Sequence, residues 1–371
     1  MRVLILSCNT GEGHNSCAKA IKEVFDSKDE YCVVEDGLRF ISHNTSRFIS
    51  WGHIWIYRHI PWFFNWGYGF AENHIRVFEE QNILYNLFAC GAEKLNQYIL
   101  ADNFDTVIST HPFTALMMTE VKRRYQLKVK TVFVATDYTC SPSVKDSELD
   151  YYFIPNENLI GDFECLHIPK EKIICSGIPI RQMFYKSTEK CAAKNQFQTS
   201  SEDKHIVMMC GSMGCGPIDE LVGALTKEIQ SGMTLTVVCG TNDKLKAQLE
   251  SNYGNLHNLH ILGFVKDMSA LLDSADLYLT KAGGISVSEA ATKSVPMVFI
   301  NAIAGCETYN ADFYSELGCG IKTATVDEAV AVCKTFMTDG NQYNKMKNAF
   351  DSFSMPNAAL CIYNALKGEC V

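Results

Sequence analysis

A glycine-rich turn between a predicted buried strand and a predicted helix most constrains what this chain can fold into. Residues 276–280 form the predicted strand, Gly283 and Gly284 follow it, and residues 285–293 have helical periodicity. In such a turn the backbone N–H groups and the helix dipole can receive a phosphate. Glu289 lies about one turn further on, where its carboxylate could accept hydrogen bonds from sugar hydroxyls. Two glycines before a helix also occur in ordinary tight turns, so both interpretations stay open on this stretch alone.

The same pattern opens the chain. Residues 3–7 are a short apolar run typical of a central parallel strand, residues 9–14 contain two glycines, and residues 16–25 predict an amphipathic helix. His14 would sit at the N-terminus of this helix, where the dipole disfavours the imidazolium and lowers its pKa. A neutral imidazole at this place could act as a general base, although a histidine that caps or packs on the turn fits equally well.

Two further predicted strands deliver polar side chains to the same edge of a parallel sheet. The strand over 105–109 is followed by His111, and the strand over 130–135 is followed by Asp137. The carboxyl edge of an open parallel sheet is where such sheets bind ligands. A long helix is predicted between these elements and the start of the chain, over residues 79–100.

The strand, turn and helix rhythm restarts after a polar stretch at 186–204, which has no strand pattern and predicts an interdomain linker. The second half begins with a strand over 205–210 and a glycine-rich turn over 211–216. We therefore predict an α/β protein with two Rossmann-like doubly wound domains facing a central cleft. The expected domains are residues 1–190, residues 191–355, and a C-terminal helix within 356–371 that could pack back on the N-terminal domain.

Composition and charge limit the function classes. The 371 residues are 47% hydrophobic and carry a formal net charge of −9, which gives no support to nucleic-acid binding. The sixteen cysteines show neither a CxxC pair nor a zinc-type spacing, so we expect free thiols in a reducing cytoplasm. No secretory signal and no apolar run of about 18 residues is evident. A cytoplasmic protein, at most peripheral on a membrane, is the expectation.

An aromatic segment, which lies between Arg39 and Arg76, interrupts the first half of the chain. It holds all four tryptophans of the chain, together with further aromatic residues and several arginines and histidines. Such a mixture suits contact with a membrane interface or an anionic lipid surface, but it also fits an aromatic mini-core or a dimer contact. The residues predicted to face the membrane are Trp51, Trp55, Trp62, Phe63, Phe64 and Trp66.

Taken together and in order, the motifs resemble those of the GT-B glycosyltransferases of the monogalactosyldiacylglycerol synthase and processive diacylglycerol glucosyltransferase family. That family is related to the peptidoglycan enzyme that adds N-acetylglucosamine to a lipid-linked acceptor. The resemblance covers nearly the whole chain. Its motifs are Gly11-x-Gly-His14, Ser16-x-Ala18, Ser109-Thr-His-Pro-Phe113, Thr136-Asp137-Tyr138, Gly177-Ile-Pro-Ile-Arg181, Gly211-Ser-Met-Gly214, Gly263-Phe264, Lys281-x-Gly-Gly284, Ser288-Glu289 and Gly305-x-Glu307-x-x-Asn310.

The resemblance implies transfer of a hexose from a UDP-sugar to a lipid, most directly diacylglycerol, on the inner face of the cell membrane. His14 matches the proposed base, with Asp137 and His111 as the next catalytic candidates. Uracil would border Phe264 and Val265, the diphosphate would lie at the turn before Ile285, and ribose or hexose would reach Glu289 and Glu307. The complete implied donor set is Ser212, Met213, Phe264, Val265, Gly283, Gly284, Ile285, Glu289, Glu307 and Asn310.

The resemblance further implies inversion at the anomeric carbon with no bound metal and no cofactor, because backbone amides offset the charge of the leaving diphosphate. Two positions depart from the family pattern. Cys306 replaces a glutamine, and residues 139–144 lack a histidine and a tryptophan. The donor hexose and the acceptor therefore stay open, as do two other functions: a GT-B-type UDP-sugar 2-epimerase and a non-catalytic UDP-sugar-binding protein.

Overall fold

The computed structural model describes residues 1–9, 11–42, 83–211, 214, 216–228, 232–300, 305–353 and 355–369. Two compact units account for this chain. The first comprises Met1–Gln182, Ala304–Cys306 and Pro356–Val371, and the second comprises Met183–Ile303 and Glu307–Met355. For comparison, the domain boundaries predicted from the sequence are at 190/191 and 355/356.

The first unit is built on a six-stranded parallel sheet with the order β2-β1-β3-β4-β5-β6. Its strands are β1 (Arg2–Ser7), β2 (Tyr31–Asp36), β3 (Thr106–Ser109), β4 (Lys130–Val134), β5 (Tyr151–Ile154) and β6 (Ile173–Cys175). The helices before the chain leaves this unit are α1 (Glu12–Ser27), α2 (Ile83–Ala89), α3 (Ala92–Ala101), α4 (Pro112–Tyr125) and α5 (Ile160–Cys165). Strand β1 is central and buried from Val3 onward, as an unalternating apolar run predicts.

The second unit repeats the architecture with the strand order β12-β11-β10-β7-β8-β9, again all parallel. Its strands are β7 (Lys204–Met209), β8 (Met233–Val238), β9 (Leu259–Leu262), β10 (Leu277–Thr280), β11 (Met297–Ile300) and β12 (Gly320–Thr323). Its helices are α6 (Lys190–Gln196), α7 (Ile218–Glu228), α8 (Asp243–Tyr253), α9 (Met268–Ser274), α10 (Gly284–Thr292), α11 (Cys306–Glu316), α12 (Val326–Thr338) and α13 (Gly340–Ala349). Short 3-10 turns lie at Gly37–Phe40, Pro142–Val144, Glu157–Leu159, Lys170–Lys172, Gln182–Tyr185 and Phe350–Ser352.

The last helix, α14 (Ala358–Lys367), belongs to the first unit and packs on α1. The rings of Phe25 and Tyr363 meet edge to face at a centroid distance of 5.3 Å. Lys130 donates from Nζ to the carbonyl of Leu366 at 2.8 Å, and Lys367 forms an ion pair with Glu30. The chain therefore returns to complete the unit in which it began.

The long helix predicted over 79–100 is wrong, because α2 ends at Ala89 and α3 begins at Ala92. Gly91 lies in the break, where a Cβ would come within 2.8 Å of the Cε of Met117 on α4. The same Cβ would lie 3.2 Å from the backbone nitrogen of Ile41, so a larger residue at 91 would have to displace its neighbours. Packing against α4, which is distant in sequence, decides the break that periodicity alone does not reveal.

The polar stretch at 186–204 is not an open linker, because it contains helix α6. Lys190 and Lys194, one turn apart on α6, both pair with Asp276, at 2.6 and 3.5 Å. Lys194 and Asp276 are each 4% exposed, so this is a buried ionic contact. One face of α6 contacts a buried carboxylate instead of an apolar core. Hydrophobic periodicity does not detect such a helix.

Candidate active site

In each unit the strand order reverses between two neighbouring strands, and several of the predicted site residues follow those strands. In the first unit, β1 has β2 on one side and β3 on the other. In the second unit, β7 has β8 on one side and β10 on the other. Connections leave such a pair toward opposite faces, which opens a crevice at their carboxyl ends.

His14 lies in the first turn of α1, directly after β1, and Thr110 at the end of β3 holds it at two points. The ring Nδ1 lies 2.8 Å from the carbonyl oxygen of Thr110. The Thr110 hydroxyl, which is fully buried, donates to the main-chain carbonyl of His14 at 3.3 Å. Two contacts from one residue fix both the backbone and the ring of His14 at the switch point.

The Thr110 contact also determines which nitrogen of His14 is basic. A carbonyl oxygen only accepts, so Nδ1 must carry the proton, and the lone pair of the neutral ring is on Nε2. Burial lowers the pKa of His14 below its ordinary value, while the Asp137 carboxylate and the Thr110 carbonyl oppose that shift. His14 is therefore neutral at physiological pH, with its basic atom opposite the anchored one.

His111 has a different arrangement, although its ring contacts that of His14 at a centroid distance of 4.5 Å. It is the N-cap of α4, and its Nδ1 accepts from the backbone N–H of Phe113 at 3.2 Å. Its neutral ring therefore carries the proton on Nε2 and has no free lone pair for a base. His111 is buried at 8% exposure, and the ring of Phe113 packs beside it at 4.5 Å.

Asp137 reaches His14 through Thr136, which directly follows the end region of β4. The Thr136 hydroxyl lies 3.2 Å from Nδ1 of His14 and donates to Oδ2 of Asp137 at 3.3 Å. Thr136 is 8% exposed, and Asp137 is partly buried. The structure thus brings the three predicted catalytic side chains, His14, His111 and Asp137, to one edge of one sheet.

A chain of amide and hydroxyl contacts shapes the glycine-rich turn before His14. Buried Ser7 donates to Asn15 at 2.7 Å, Asn15 donates to Asn9 at 3.0 Å, and Asn9 donates to Asp36 at 3.0 Å. Asp36 also caps the following 3-10 turn by accepting from the N–H of Leu38. The turn is therefore held from the ends of both β1 and β2, which keeps α1 and His14 in a fixed direction.

In the second unit, Lys281 and Glu307 connect three elements at the switch point. Lys281 follows β10, and its Nζ lies 2.6 Å from the carboxylate of Glu307 in the first turn of α11. The lysine side chain crosses Gly211, the first residue of the turn after β7. A Cβ on Gly211 would lie 2.7 Å from Cε of Lys281, so the lysine would have to move. The φ of Gly211 is +70°, a left-handed conformation that favours glycine.

The N-terminus of α10 lies beside this ion pair. Its N-cap is Gly283, which has no side chain to bond the amides of the first turn. Gly283 has an ordinary φ of −72°, and a Cβ there would meet no atom of the described residues within 4 Å. Neither conformation nor packing in the described part of the chain requires glycine at 283.

The other predicted donor residues differ in exposure. Phe264, directly beyond the edge strand β9, is 70% exposed, and Val265 is partly buried. Ile285 is 8% exposed in the first turn of α10. Asn310 is fully buried and donates from Nδ2 to the carbonyl of Ala282 at 2.9 Å, which ties α11 to the loop after β10.

Glu289 is partly buried in the second turn of α10, with Tyr278 of β10 close to it. Burial raises the pKa of Tyr278 far above its ordinary value, and the Glu289 carboxylate adds to that shift, while contacts with Thr280 and Ser286 oppose it. The phenol is therefore a neutral hydroxyl. Glu289 therefore lies on the face of α10 that is near Tyr278 of strand β10.

Several predictions lie outside the described residues. These are the donor residues Ser212 and Met213 and the aromatic set Trp51, Trp55, Trp62, Phe63, Phe64 and Trp66. None of the helices in the described ranges combines the length and apolar character that a bilayer span requires. Among the same residues, no group of three or more His, Cys, Asp and Glu side chains is arranged to hold a metal ion.

Sequence reasoning assigned no role to Thr110, Thr136 or Lys281, although each belongs to a motif that it singled out. Thr110 and Thr136 immediately precede His111 and Asp137. Lys281 begins the glycine-rich turn that contains Gly283 and Gly284. Polar residues directly after buried strands were the available signal. Their partners are far away in sequence, so the contacts become visible only in the fold.

Known proteins resemble both halves of the chain. Residues 14–180 match the family model of monogalactosyldiacylglycerol synthase, and residues 205–359 match that of the glycosyltransferase family 28 C-terminal domain. The chain is 25% identical to the processive diacylglycerol β-glucosyltransferase of Staphylococcus saprophyticus over 366 residues, covering 96% of this chain and 89% of that protein. The protein of the same name from Bacillus cytotoxicus is 25% identical over 374 residues, covering 99% and 94%.

Solved structures are similar over the whole chain. MurG of Acinetobacter baumannii superposes with a TM-score of 0.67 at 13% identity, covering 99% of both chains. The UDP-GlcNAc 2-epimerase of Neisseria meningitidis, bound to UDP-GlcNAc, gives 0.65 at 13% identity, covering 100% of both. These likenesses confirm the predicted GT-B fold. The family matches show that residues 14–180 form a domain of the monogalactosyldiacylglycerol synthase family and that residues 205–359 form a glycosyltransferase family 28 C-terminal domain.

Proposed function

We propose that this protein is an inverting glycosyltransferase that moves a hexose from a UDP-sugar to a lipid hydroxyl, with diacylglycerol as the acceptor. One observation carries the proposal. The domain of the monogalactosyldiacylglycerol synthase family presents a neutral histidine at its switch point, and the family 28 domain presents an uncapped helix N-terminus at its own. The relatives named as diacylglycerol glucosyltransferases match along almost the whole chain and support the acceptor class.

The second unit binds the donor in this proposal. The diphosphate lies at the N-terminus of α10, where the amides after Gly283 and the helix dipole favour an anion. Lys281, whose side chain crosses the neighbouring glycine turn, adds a cation to the same edge of the sheet. Phe264, with 70% of its surface exposed, offers a face for the uracil ring. Glu289 accepts from the ribose hydroxyls, and Glu307 serves the donor sugar.

The first unit supplies the base. Nε2 of His14 takes the proton of the acceptor hydroxyl as that oxygen attacks the anomeric carbon. The bond from this carbon to the diphosphate oxygen breaks, and its electron pair leaves on UDP. A single displacement inverts the anomeric centre. The proposal requires no metal and no cofactor, because the backbone amides of α10 and the Lys281 ammonium offset the charge that develops on the diphosphate.

The lipid acceptor brings the protein to a membrane surface. We place it peripherally on the inner face of the cell membrane, with anionic lipids and the aromatic segment around Trp62 as the contact. The arginines and tryptophans of that segment are suited to this depth of a bilayer. Nucleic acid has no part in the proposal.

The test measures UDP release from UDP-glucose, UDP-galactose and UDP-N-acetylglucosamine, with and without anionic vesicles that contain diacylglycerol. UDP-glucose is the first donor to test, because the relatives are named glucosyltransferases. We expect release with one of the donors only when diacylglycerol is present, together with a glycosylated lipid of matching mass. Vesicles with triacylglycerol in place of diacylglycerol are the control, since they keep the acyl chains and lack the hydroxyl.

Other outcomes would contradict the proposal. Conversion of the UDP-sugar to its 2-epimer without vesicles would indicate the epimerase, whose fold is the same. Tight calorimetric binding of UDP-sugars with no UDP release from any lipid extract would indicate a non-catalytic binding protein.

A further inference from the structure

The contact between Thr136 and His14 has no role in the reaction as proposed above. The Thr136 hydroxyl lies 3.2 Å from Nδ1 of His14 and 3.3 Å from Oδ2 of Asp137. Thr136 is 8% exposed, so neither contact competes freely with water. The question is in which direction the hydroxyl proton points.

The directions of these hydrogen bonds follow from the groups involved. Nδ1 of His14 is a donor, because its other partner is the Thr110 carbonyl at 2.8 Å, which can only accept. The Thr136 oxygen must then accept from Nδ1, in a bond shared with that carbonyl. A hydroxyl has one proton, and it is directed to the Asp137 carboxylate, which accepts only. The order is therefore ring N–H to hydroxyl oxygen, and hydroxyl hydrogen to carboxylate.

We propose that Thr136 is a positioning residue that couples the Asp137 carboxylate to the His14 ring and thereby keeps Nε2 as the basic atom. This inference rests on the proposed function for its catalytic consequence, but the coupling itself is a property of the free protein. Nδ1 keeps its proton throughout the reaction, and Asp137 stays ionised. The carboxylate stabilises the imidazolium that forms when Nε2 accepts the acceptor proton.

Other groups near His14 do not replace this coupling. The His111 ring meets His14 edge to face, but its Nδ1 is occupied by the N–H of Phe113, so it is a neutral neighbour. Cys17, on the following turn of α1, is buried, and burial raises the pKa of its thiol well above the ordinary value, with the Asp137 carboxylate adding to the shift. Among the described residues, Asp137 is thus the charged group through which His14 is tuned.

The experiment compares Thr136→Val, which removes the hydroxyl at constant shape, with Thr136→Ser, which restores it. The matched control is Thr131→Val. Thr131 lies in the same strand region, is fully buried, and donates to the Asp150 carboxylate at 2.8 Å, at the end of β4 away from His14. It removes a threonine–carboxylate bond of the same kind.

The first readout is the pKa and tautomer of His14 in histidine-labelled protein by nitrogen NMR, which needs no substrate. We expect Asp137→Asn to lower the His14 pKa in the parent and in Thr136→Ser, and to lower it less in Thr136→Val. The second readout is the pH profile of UDP release. There Thr136→Val should reduce kcat about 2- to 10-fold, as expected for one lost hydrogen bond, with little change in the KM for donor.

The proposal is overturned if Thr136→Val leaves the response of His14 to Asp137→Asn unchanged, or if Thr131→Val produces the same shift. A parent protein that releases no UDP with any lipid contradicts the proposed function instead. The NMR comparison still decides the coupling in that case. If Thr136→Val does not fold, the His14 pKa of Thr136→Ser is compared with that of Asp137→Asn instead. Equal His14 pKa values in these two variants would contradict the coupling.

Discussion

The ammonium of Lys281 lies 2.6 Å from the carboxylate of Glu307, and the lysine side chain crosses Gly211 to reach it. The two side chains are 21% and 10% exposed, so the pair is largely withdrawn from water. Lys281 follows one of the two strands at the switch point, and Gly211 follows the other. A cation is thus held at the place where the proposed diphosphate arrives, and its present partner is a residue assigned to the donor sugar.

We expect Lys281→Met to weaken binding of UDP while leaving the affinity for uridine unchanged, because only the diphosphate needs the cation. A hydrogen bond to a charged group contributes about 1.5–3 kcal/mol, which corresponds to roughly 10- to 150-fold in Kd. Isothermal titration with UDP, UMP and uridine measures the difference. Since Lys281→Met leaves Glu307 buried without its ion pair, Lys281→Met/Glu307→Gln is the companion variant. Equal losses for UDP and uridine would indicate a general disturbance of the site.

We expect Glu289→Ala to weaken UDP and uridine alike, because the proposed partners of this carboxylate are the ribose hydroxyls. The loss should be about 1.5–3 kcal/mol, as for hydrogen bonds to a charged acceptor. The fold should persist, since Glu289 is only partly buried on α10. Calorimetry on the folded variant checks this. A 2′-deoxyuridine ligand should lose much less on the same substitution, and unchanged uridine affinity would remove Glu289 from the site.

We expect His14→Ala to abolish turnover with little effect on UDP affinity. A general base contributes roughly 10²- to 10⁴-fold to the rate. The matched variant is His111→Asn, which keeps an N-cap for α4 but removes the second ring. Because Nδ1 of His111 is occupied as a cap, its loss should cost much less activity than the loss of His14. If the two variants were equally impaired, His14 would not be the distinct base.

A buried histidine outside the site should make stability depend on pH. His205 of β7 is fully buried, and its ring contacts the hydroxyls of Ser274 at 3.0 Å and Thr236 at 2.7 Å. Burial lowers the pKa of His205 to about 4. The unfolded chain therefore binds the proton more readily than the folded one. His205 therefore contributes about 3 kcal/mol to the free energy of unfolding, and this contribution is fully present above the unfolded pKa of about 6.5. The contribution falls as the pH drops toward 4.

Urea unfolding between pH 7 and pH 4 measures this loss in the free energy of unfolding. His205→Gln should flatten the loss of stability in that range, because glutamine does not titrate. His257→Gln, which changes an exposed histidine of the same unit, is the control and should follow the parent. A His205→Gln variant with the full pH dependence of the parent would assign the effect to other groups.

The sequence was sufficient for those parts of the fold that rest on local pattern. The predicted strands over 105–109 and 276–280 match β3 and β10 to within one residue, the helix predicted within 356–371 is α14, and the catalytic candidates do meet at one sheet edge. It failed where a distant partner decides the outcome. Gly91 lies between two helices and packs against Met117, and Lys190 lies on a helix that pairs with Asp276.

The same reason explains which site residues were missed. The Lys281 ion pair joins residues 26 positions apart, and the contact of Thr136 with His14 spans 122 positions. A single sequence carries the chemical type of each residue but not these pairings. Motif resemblance could identify the neighbourhood, whereas the direction of each hydrogen bond required the fold.

The aromatic segment yields the remaining prediction. A lipid hydroxyl lies at headgroup depth, so the proposed enzyme has to bring its acceptor side to that surface. Tryptophan favours this depth because its ring is apolar while its N–H stays hydrogen-bonded. Nearby arginines add about 1 kcal/mol each near an anionic surface, and less as salt rises. We expect release from anionic vesicles when four residues are replaced by serine: Trp62, Phe63, Phe64 and Trp66.

Co-sedimentation with vesicles at low and high salt measures this release, and UDP calorimetry on the same variant should show unchanged donor binding. The matched control replaces Leu100 and Tyr125 by serine, which removes two exposed apolar side chains, 55% and 39% exposed, from the same unit. That variant should sediment like the parent. If the aromatic variant also sedimented like the parent, the segment would be a core or dimer contact. If the control were released as well, general loss of surface apolarity would explain the effect, because neither Leu100 nor Tyr125 belongs to the proposed membrane contact.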